Sequence, residues 1–295
     1  MNYFIRTETS LAPEVITLDI LVNGKPVKQY HHNGKLYVEA KKGSEFSIQL
    51  SNNSGYRLEA IIYVDGISIL TGNPEPNILD SSLEPGFVID SYSKQKPIPG
   101  WVLNNETSAK FVFDSKDQSL AKQTNKNLQH IGKITCVVFN EYVASVTTTS
   151  STVVNWSDFD GTTTGGYYTV PNNTQVLYGT NTTTSTASTG THRVNLSHSV
   201  PISMRITKEP DTHYTELGVS PGEPVECKYV DVHFSRNYST KPAIYTIFYN
   251  TFEELKRMGI DLKNRVKIAA NPTNIGVPMP KSWASKHGVI KIHED

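Results

Sequence analysis

The sequence predicts a mainly β protein: an N-terminal antiparallel β-sandwich of jelly-roll-like character over residues 43–142, and a smaller β-rich C-terminal domain carrying one short helix. Three observations predict it. Apolar and polar residues alternate, as in Phe46, Ile48 and Leu50 against Ser47, Gln49 and Ser51, which is the period of a half-buried strand. Short runs of this kind recur between breaks containing Gly, Asn and Pro, the spacing of a sandwich or barrel. The composition, with 15 Tyr beside many Thr, Asn, Val and Ile, favours strands over helices.

Residues 1–42 read as an N-terminal arm of hairpins. Asn23-Gly24 and Asn33-Gly34 each interrupt alternating residues, and Asn-Gly tolerates the positive φ values of a type I′ turn. His31 and His32 are neighbours on a strand, so their side chains leave opposite faces and favour solvation over chelation of one ion. The sandwich begins near Ser44. "RLEAIIYVDGISILTG" reads as a strand, a tight turn at Asp65-Gly66 and a second strand, and "GFVIDSYS" as the next. A Lys- and Pro-containing stretch then leads into Gly100-Trp101. "SAKFVFD" alternates Ala109, Phe111 and Phe113, and the apolar "KITCVVFNEY" closes the unit. The expected structural core is Val64, Gly66, Phe87, Ile89, Trp101, Phe111, Phe113, Val137 and Phe139, with Trp101 entering it because the preceding glycine lets the chain bend.

The segment 143–199 has a different character. Between Ser145 and Thr191 there are 16 Thr and 6 Ser but no Lys, Arg or Glu. Such bias fits a linker. The aromatics Trp156, Phe159, Tyr167, Tyr168 and Tyr178 are many for a solvated tether, and β-branched Thr suits strands, so a projecting hairpin or fibre-like element is the favoured reading and a flexible linker the alternative. Those five aromatics form the candidate contact surface. Residues 200–269 return to strand-like runs and hold one clear helix near 251–259: Thr251 and Glu254 make a capping box, Glu253 and Arg257 are spaced for an i,i+4 pair, and Gly259 ends it. Residues 270–295 form a Pro-containing C-terminal arm.

The charge balance argues against nucleic acid as a partner, because 28 Lys and Arg meet 28 Asp and Glu and leave no field of one sign. No run approaches the ~18 apolar residues of a membrane helix, and "MNYFIRTETS" lacks the basic and apolar regions of a secretory signal. Cys136 and Cys227 form no C-x-x-C pair and are expected as buried free thiols on strands. No phosphate loop, dinucleotide fingerprint, H-E-x-x-H or G-x-S-x-G is present. Asp114 and Asp117 superficially suggest a calcium loop, but the Gly and the final Glu of that loop are missing, so the stretch reads as a turn. No catalytic residue, cofactor or metal ligand is assigned.

Val64-Asp65-Gly66, Gly86-Phe87-Val88-Ile89-Asp90, Gly100-Trp101, Ala109 to Phe113 and Gly132 to Phe139 occur in an order that resembles a family of β-sandwich proteins from tailed phages, large DNA viruses and some bacteria, described as virion-associated or uncharacterised. The resemblance covers residues 44–140. Phe87 stands where that pattern has Tyr, Ser91 where it has Pro, and Val102 where it has Arg. Its motifs are structural, so what the resemblance implies is a fold and a virion setting. The function expected from it is a structural component of a virus particle, such as a tailed-phage capsid decoration, head fibre, or neck or tail accessory protein. Such a chain would contact other virion proteins as a homo-oligomer, a trimer by analogy with fibres, with both terminal arms reaching neighbours. The alternative is an adhesin-like module that binds a carbohydrate or receptor through the aromatics of the middle segment; an enzyme without a recognisable motif comes third.

Overall fold

The computed structural model describes residues 15–76, 84–143, 214–263, 268, 270, 276–279 and 288–293. The middle segment, with Trp156, Phe159, Tyr167, Tyr168 and Tyr178, lies outside them, and the chain divides there into two units, 1–143 with 201–295, and 144–200. The described strands all belong to the first unit.

Fifteen strands among the described residues build two sheets. In chain order they are β1 (Ile16–Val22), β2 (Lys25–Pro26), β3 (Gln29–His32), β4 (Lys35–Glu39), β5 (Glu45–Asn52), β6 (Leu58–Val64), β7 (Ile67–Ser68), β8 (Phe87–Ile89), β9 (Gly100–Asn104), β10 (Thr107–Ser115), β11 (Lys133–Asn140), β12 (Leu217–Glu226), β13 (Tyr229–Asp231), β14 (Ala243–Asn250) and β15 (Ile290–Ile292). The first sheet runs β12-β10-β5-β1-β2, with β9 beside β10. The second runs β13-β15-β8-β6-β11-β14-β4-β3, with β7 beside β6. Pairing is antiparallel except for β14 with β4 and β15 with β8. The mainly β class therefore holds, with two short α-helices among the described residues, α1 (Leu120–Gln123) and α2 (Phe252–Arg257).

The expected division at residues 43 and 200 does not follow the sheets. Hairpins of the supposed N-terminal arm supply β1 to β4, and β1 pairs with β5 from Ile16↔Asn52 to Val22↔Phe46. The supposed C-terminal domain supplies β12 beside β10 and β14 beside β11. Strand β15, from the supposed C-terminal arm, sits between β13 and β8. The reason is physical: β10 and β11 are long apolar strands, and an unpaired edge on either would leave a row of backbone groups without partners. The chain closes both edges with strands from its far end.

Local chemistry explains the turns. Asn23-Gly24, Asn33-Gly34 and Asp65-Gly66 all take positive φ at both positions (52° and 70°, 48° and 72°, 51° and 73°), the backbone of a type I′ hairpin. Helix α2 starts where Thr251 Oγ1 accepts the Glu254 N–H at 3.2 Å and stops at Gly259, φ 82°. Arg257 pairs with Glu254 rather than with the expected Glu253.

One core lies between the sheets. It contains Phe46, Ile48 and Leu50 of β5, Leu58, Ala60, Ile62 and Val64 of β6, and Cys136, Ile247 and Tyr249 opposite β1 and β10. Of the residues expected there, Val64, Phe87, Ile89, Trp101, Phe111 and Phe113 join this cluster. Val137 and Phe139 are equally buried but on the other face of the second sheet, where they pack with Ile61 and Tyr63. A third cluster, Tyr30, Tyr37, Phe248, Leu255 and Ile260, seats α2 on that same outer face. Strands β6 and β11 are thus buried on both sides, which is why they read as continuous apolar runs instead of alternating ones. Of the two cysteines, Cys136 is buried in β11, whereas Cys227 is half-buried between β12 and β13 rather than on a strand.

Trp101 is fully buried, edge-on to Phe111 at 4.7 Å between centroids. Gly100 makes this packing available: a Cβ there would lie 1.7 Å from the carbonyl oxygen of Ala109. Trp101→Ala is expected to cost ~3–5 kcal/mol as a large-to-small core change. Gly100→Ala forces β9 away from β10 and should be at least as damaging. Urea titration followed by tryptophan-independent far-UV dichroism measures both, and a Trp101→Ala cost below ~1 kcal/mol would contradict this packing.

Candidate functional site: a tyrosine-bearing end and an uncharged cleft

Buried ionisable groups are the first place to look for chemistry. Three sets stand out among the described residues, and each holds strands together. Asp65, at the tip of the β6–β7 turn, accepts hydrogen bonds from the backbone N–H of Gly132 at 3.0 Å, from that of Val219 at 2.7 Å and from the Tyr249 hydroxyl. One carboxylate therefore joins β6 to the entry of β11, to β12 and to β14. Burial pushes its pKa up to about 7 in spite of these donors. The Tyr249 phenol is driven well above its usual value, by burial first and then by the facing carboxylate.

The second set is Glu75, His130 and Lys133, with His130 Nδ1 2.7 Å and Lys133 Nζ 3.4 Å from Glu75 Oε2. Asn127 donates to the carbonyls of Gly66 and Glu75 at 2.9 and 2.7 Å, so the cluster braces the Asp65-Gly66 turn from outside. Gly66, one of the expected core residues, proves to be a contact point: a Cβ there would meet His130 Cβ at 2.5 Å. The third set is Glu59 with Arg236, bidentate at 2.6 and 2.7 Å, with the guanidinium 4.8 Å over the Phe139 ring. Among the described residues no group of three His, Cys, Asp or Glu could hold a metal ion. His31 and His32 stand on edge strand β3, where Asn33 Nδ2 lies 3.1 Å from His32 Nε2.

The surface is less uniform than these ties. Past the first residue of β6 the sheet register continues into loops: Glu141 N donates to Arg57 O at 3.1 Å, and Tyr142 N to Ser235 O at 2.7 Å. On the other side Tyr92 N donates to Ser54 O at 3.0 Å. This end of the second sheet therefore gathers Tyr56, Tyr92, Tyr142 and Val143, which are 59%, 77%, 56% and 67% exposed. Tyr92 holds a left-handed backbone, φ 50°, a conformation that costs a bulky residue of order 1 kcal/mol and that Asn or Gly would take more readily. The frame beneath is rigid. Asn52 Nδ2 donates to the carbonyls of Tyr56 and Asp90 at 2.7 and 2.8 Å, and Arg57 bridges Glu141 at 2.6 Å and Asp90 at 3.6 Å. Lys291 of β15 also pairs with Asp90.

Between β1 of the first sheet and β3, β4 and β14 of the second lies a cleft of about 240 Å³, with Ile16, Thr17, Gln29, Leu36, Asn53 and Tyr245 among its walls. Asn53 belongs to the turn that carries Tyr56, so the cleft opens beside the same turn. Neither feature is visible in the sequence. Tyr56 lies in a turn-forming stretch, whereas "GFVIDSYS" and "KITCVVFNEY" read as strands that include Tyr92 and Tyr142. In the structure both residues lie just past the ends of β8 and β11, and nothing in the sequence shows that the three meet. The five aromatics expected as contacts fall outside the described residues.

The buried charges make two outcomes measurable. Because the unfolded Asp65 carboxyl titrates near 3.8 and the folded one at about 7, the folded state binds its proton more tightly. Its contribution is complete below the unfolded value and is lost as pH rises through about 7, by on the order of a few kcal/mol. Asp65→Asn should remove that pH dependence, and at pH 8, where the carboxyl it replaces is ionised, it should lose ~1–3 kcal/mol of hydrogen bonding because its amide nitrogen cannot accept from the Val219 N–H; thermal melts between pH 4 and 8 check both. For the ion pair, Arg236→Met leaves Glu59 buried and unpaired and should cost ~3–5 kcal/mol, most of it recovered in Glu59→Leu/Arg236→Met. A double variant no more stable than the single one would contradict the pairing.

A family model described as a domain of unknown function (DUF7918) matches residues 15–160. The matched range takes in β1 to β11 and leaves out β12 to β15, which complete the two sheets. No curated protein and no solved structure matches the chain.

Proposed function

We propose that the chain is a non-catalytic structural component of a virus particle, attached to other particle proteins through the tyrosine-bearing end of its second sheet. The observation that supports this reading is the contrast within one sandwich. Its buried charges are spent on strand-to-strand ties, while Tyr56, Tyr92 and Tyr142 stand exposed on a braced frame. Tyrosine supplies a large amphipathic surface at low conformational cost, which suits contact rather than turnover. The motif order from Val64 to Phe139 supplies the virion setting as a resemblance. Loops at one end of a β-sandwich are the usual carriers of binding function. The segment 145–200, expected to hold the contacts of a homo-oligomer, lies outside the described residues and belongs to the same proposal.

Mass spectrometry of purified particles should find the chain in a fixed copy number. Tyr56→Ser/Tyr92→Ser/Tyr142→Ser should lower incorporation at least tenfold without moving the melting temperature by more than a few degrees, because exposed side chains contribute little to the fold. A chain found only free in the host cell, or a triple variant incorporated normally, contradicts the reading.

A further inference from the structure

The cleft between β1 and β14 differs from the rest of the surface in charge. The chain carries 56 formally charged side chains (28 basic and 28 acidic), yet among the described residues the cleft walls include no Lys, Arg, Asp or Glu. An anionic ligand finds no cation there, and a cation finds no carboxylate. The walls are not purely apolar either. Thr17, Gln29, Asn53 and Tyr245 stand among Ile16 and Leu36. A hydrocarbon ligand would strip water from those polar groups without replacing its hydrogen bonds.

An extended peptide is also a poor occupant. Strand addition needs free main-chain groups on an edge, and the edge of β1 that faces the cleft is already in use: Gln29 Nε2 donates to Leu18 O at 2.8 Å, and Val27 N to Ile20 O at 2.8 Å. Asn53 Nδ2 likewise donates to Thr17 Oγ1 at 3.0 Å. With both amide nitrogens turned to the protein, each carboxamide keeps a carbonyl oxygen as a neutral acceptor for hydroxyl donors. The volume of about 240 Å³ falls below the ~300–1,000 Å³ of drug-sized pockets, so the occupant is of one-ring size.

We infer that this cleft is a binding site for a neutral sugar: one uncharged glycan ring, its C–H faces against Ile16 and Leu36 and its hydroxyls donating to Gln29 and Asn53. The next rings of a longer chain would pass the turn that carries Tyr56, where aromatic rings are available for stacking. This inference stands on the uncharged cleft and not on a place in a particle, so either reading survives the failure of the other.

The test uses the full chain on an array of neutral hexose and pentose oligosaccharides, followed by affinity electrophoresis in gels containing the polysaccharide it selects, with heparin as the anionic control. Thr17→Lys places a long cation from an exposed strand position at the cleft, and Gln29→Glu replaces its neutral amide with a carboxylate; melting curves confirm that both variants fold. Retardation by a neutral polysaccharide, weakened at least tenfold in both variants and absent with heparin, is the expected result. No neutral binder on the array, equal retardation by heparin, or retardation unchanged in both folded variants overturns the inference. So does a photo-crosslinker at Asn53 that captures a particle protein while no glycan binds.

Discussion

The sandwich depends on one buried carboxylate. Asp65 sits at a hairpin tip, where a short side chain with a left-handed backbone is easily accommodated. Its oxygens reach three other elements: the N–H of Gly132 before β11, the N–H of Val219 in β12 and the hydroxyl of Tyr249 in β14. Two of those partners come from beyond residue 200 and one from before 143. An isolated buried carboxylate is very costly, and its full set of donors makes this one tolerable. The donors are present only when both halves of the chain are in place. Asp65 therefore links the ordering of the late strands to the early sandwich, and its raised pKa is the thermodynamic trace of that burial.

That arrangement separates the two ends of the molecule by role. Around the Asp65 turn, Glu75, His130, Lys133 and Asn127 add a second layer of ties, and the chain has little polar surface left to offer there. At the opposite ends of β6 and β11, polar ties run between side chains and loop carbonyls, as with Asn52, and leave the aromatic rings outside. A rigid frame lowers the entropy lost when such rings are fixed by a partner. The strain at Tyr92 fits the same division, because a position that served only the fold would favour a residue relaxed at positive φ.

Much of the fold is legible from the residues. Strand β5 alternates in the structure as in the sequence, and all three Xaa-Gly hairpin turns occur where Asn-Gly and Asp-Gly predict them. The burial of Trp101 follows from the glycine before it. What periodicity does not reveal is which strands meet. Strand β14 pairs with β11 across a separation of more than 100 residues, and nothing in "AIYTIFYN" states its partner. Its run of aromatics suits a second sheet of its own as well as an edge of the first. The terminal segments mislead for a related reason: β15 has only three residues, and β1, though seven residues long, does not state in its own sequence that its partner is β5, so both look like tails until their neighbours are known. The cleft is invisible in the sequence because it forms only where the early strands β1, β3 and β4 meet β14, more than 200 residues further along the chain.

The central claim is that one cooperative sandwich contains strands from both halves of the chain. Native-state amide hydrogen exchange tests it most directly. If the account is right, slowly exchanging amides of β6 and β11 and those of β12 and β14 open with the same free energy, equal to that of global unfolding. A lower opening energy confined to β12 and β14, with β6 and β11 still fully protected, would mean that the late strands form a separate layer and that the Asp65 clamp does not join them.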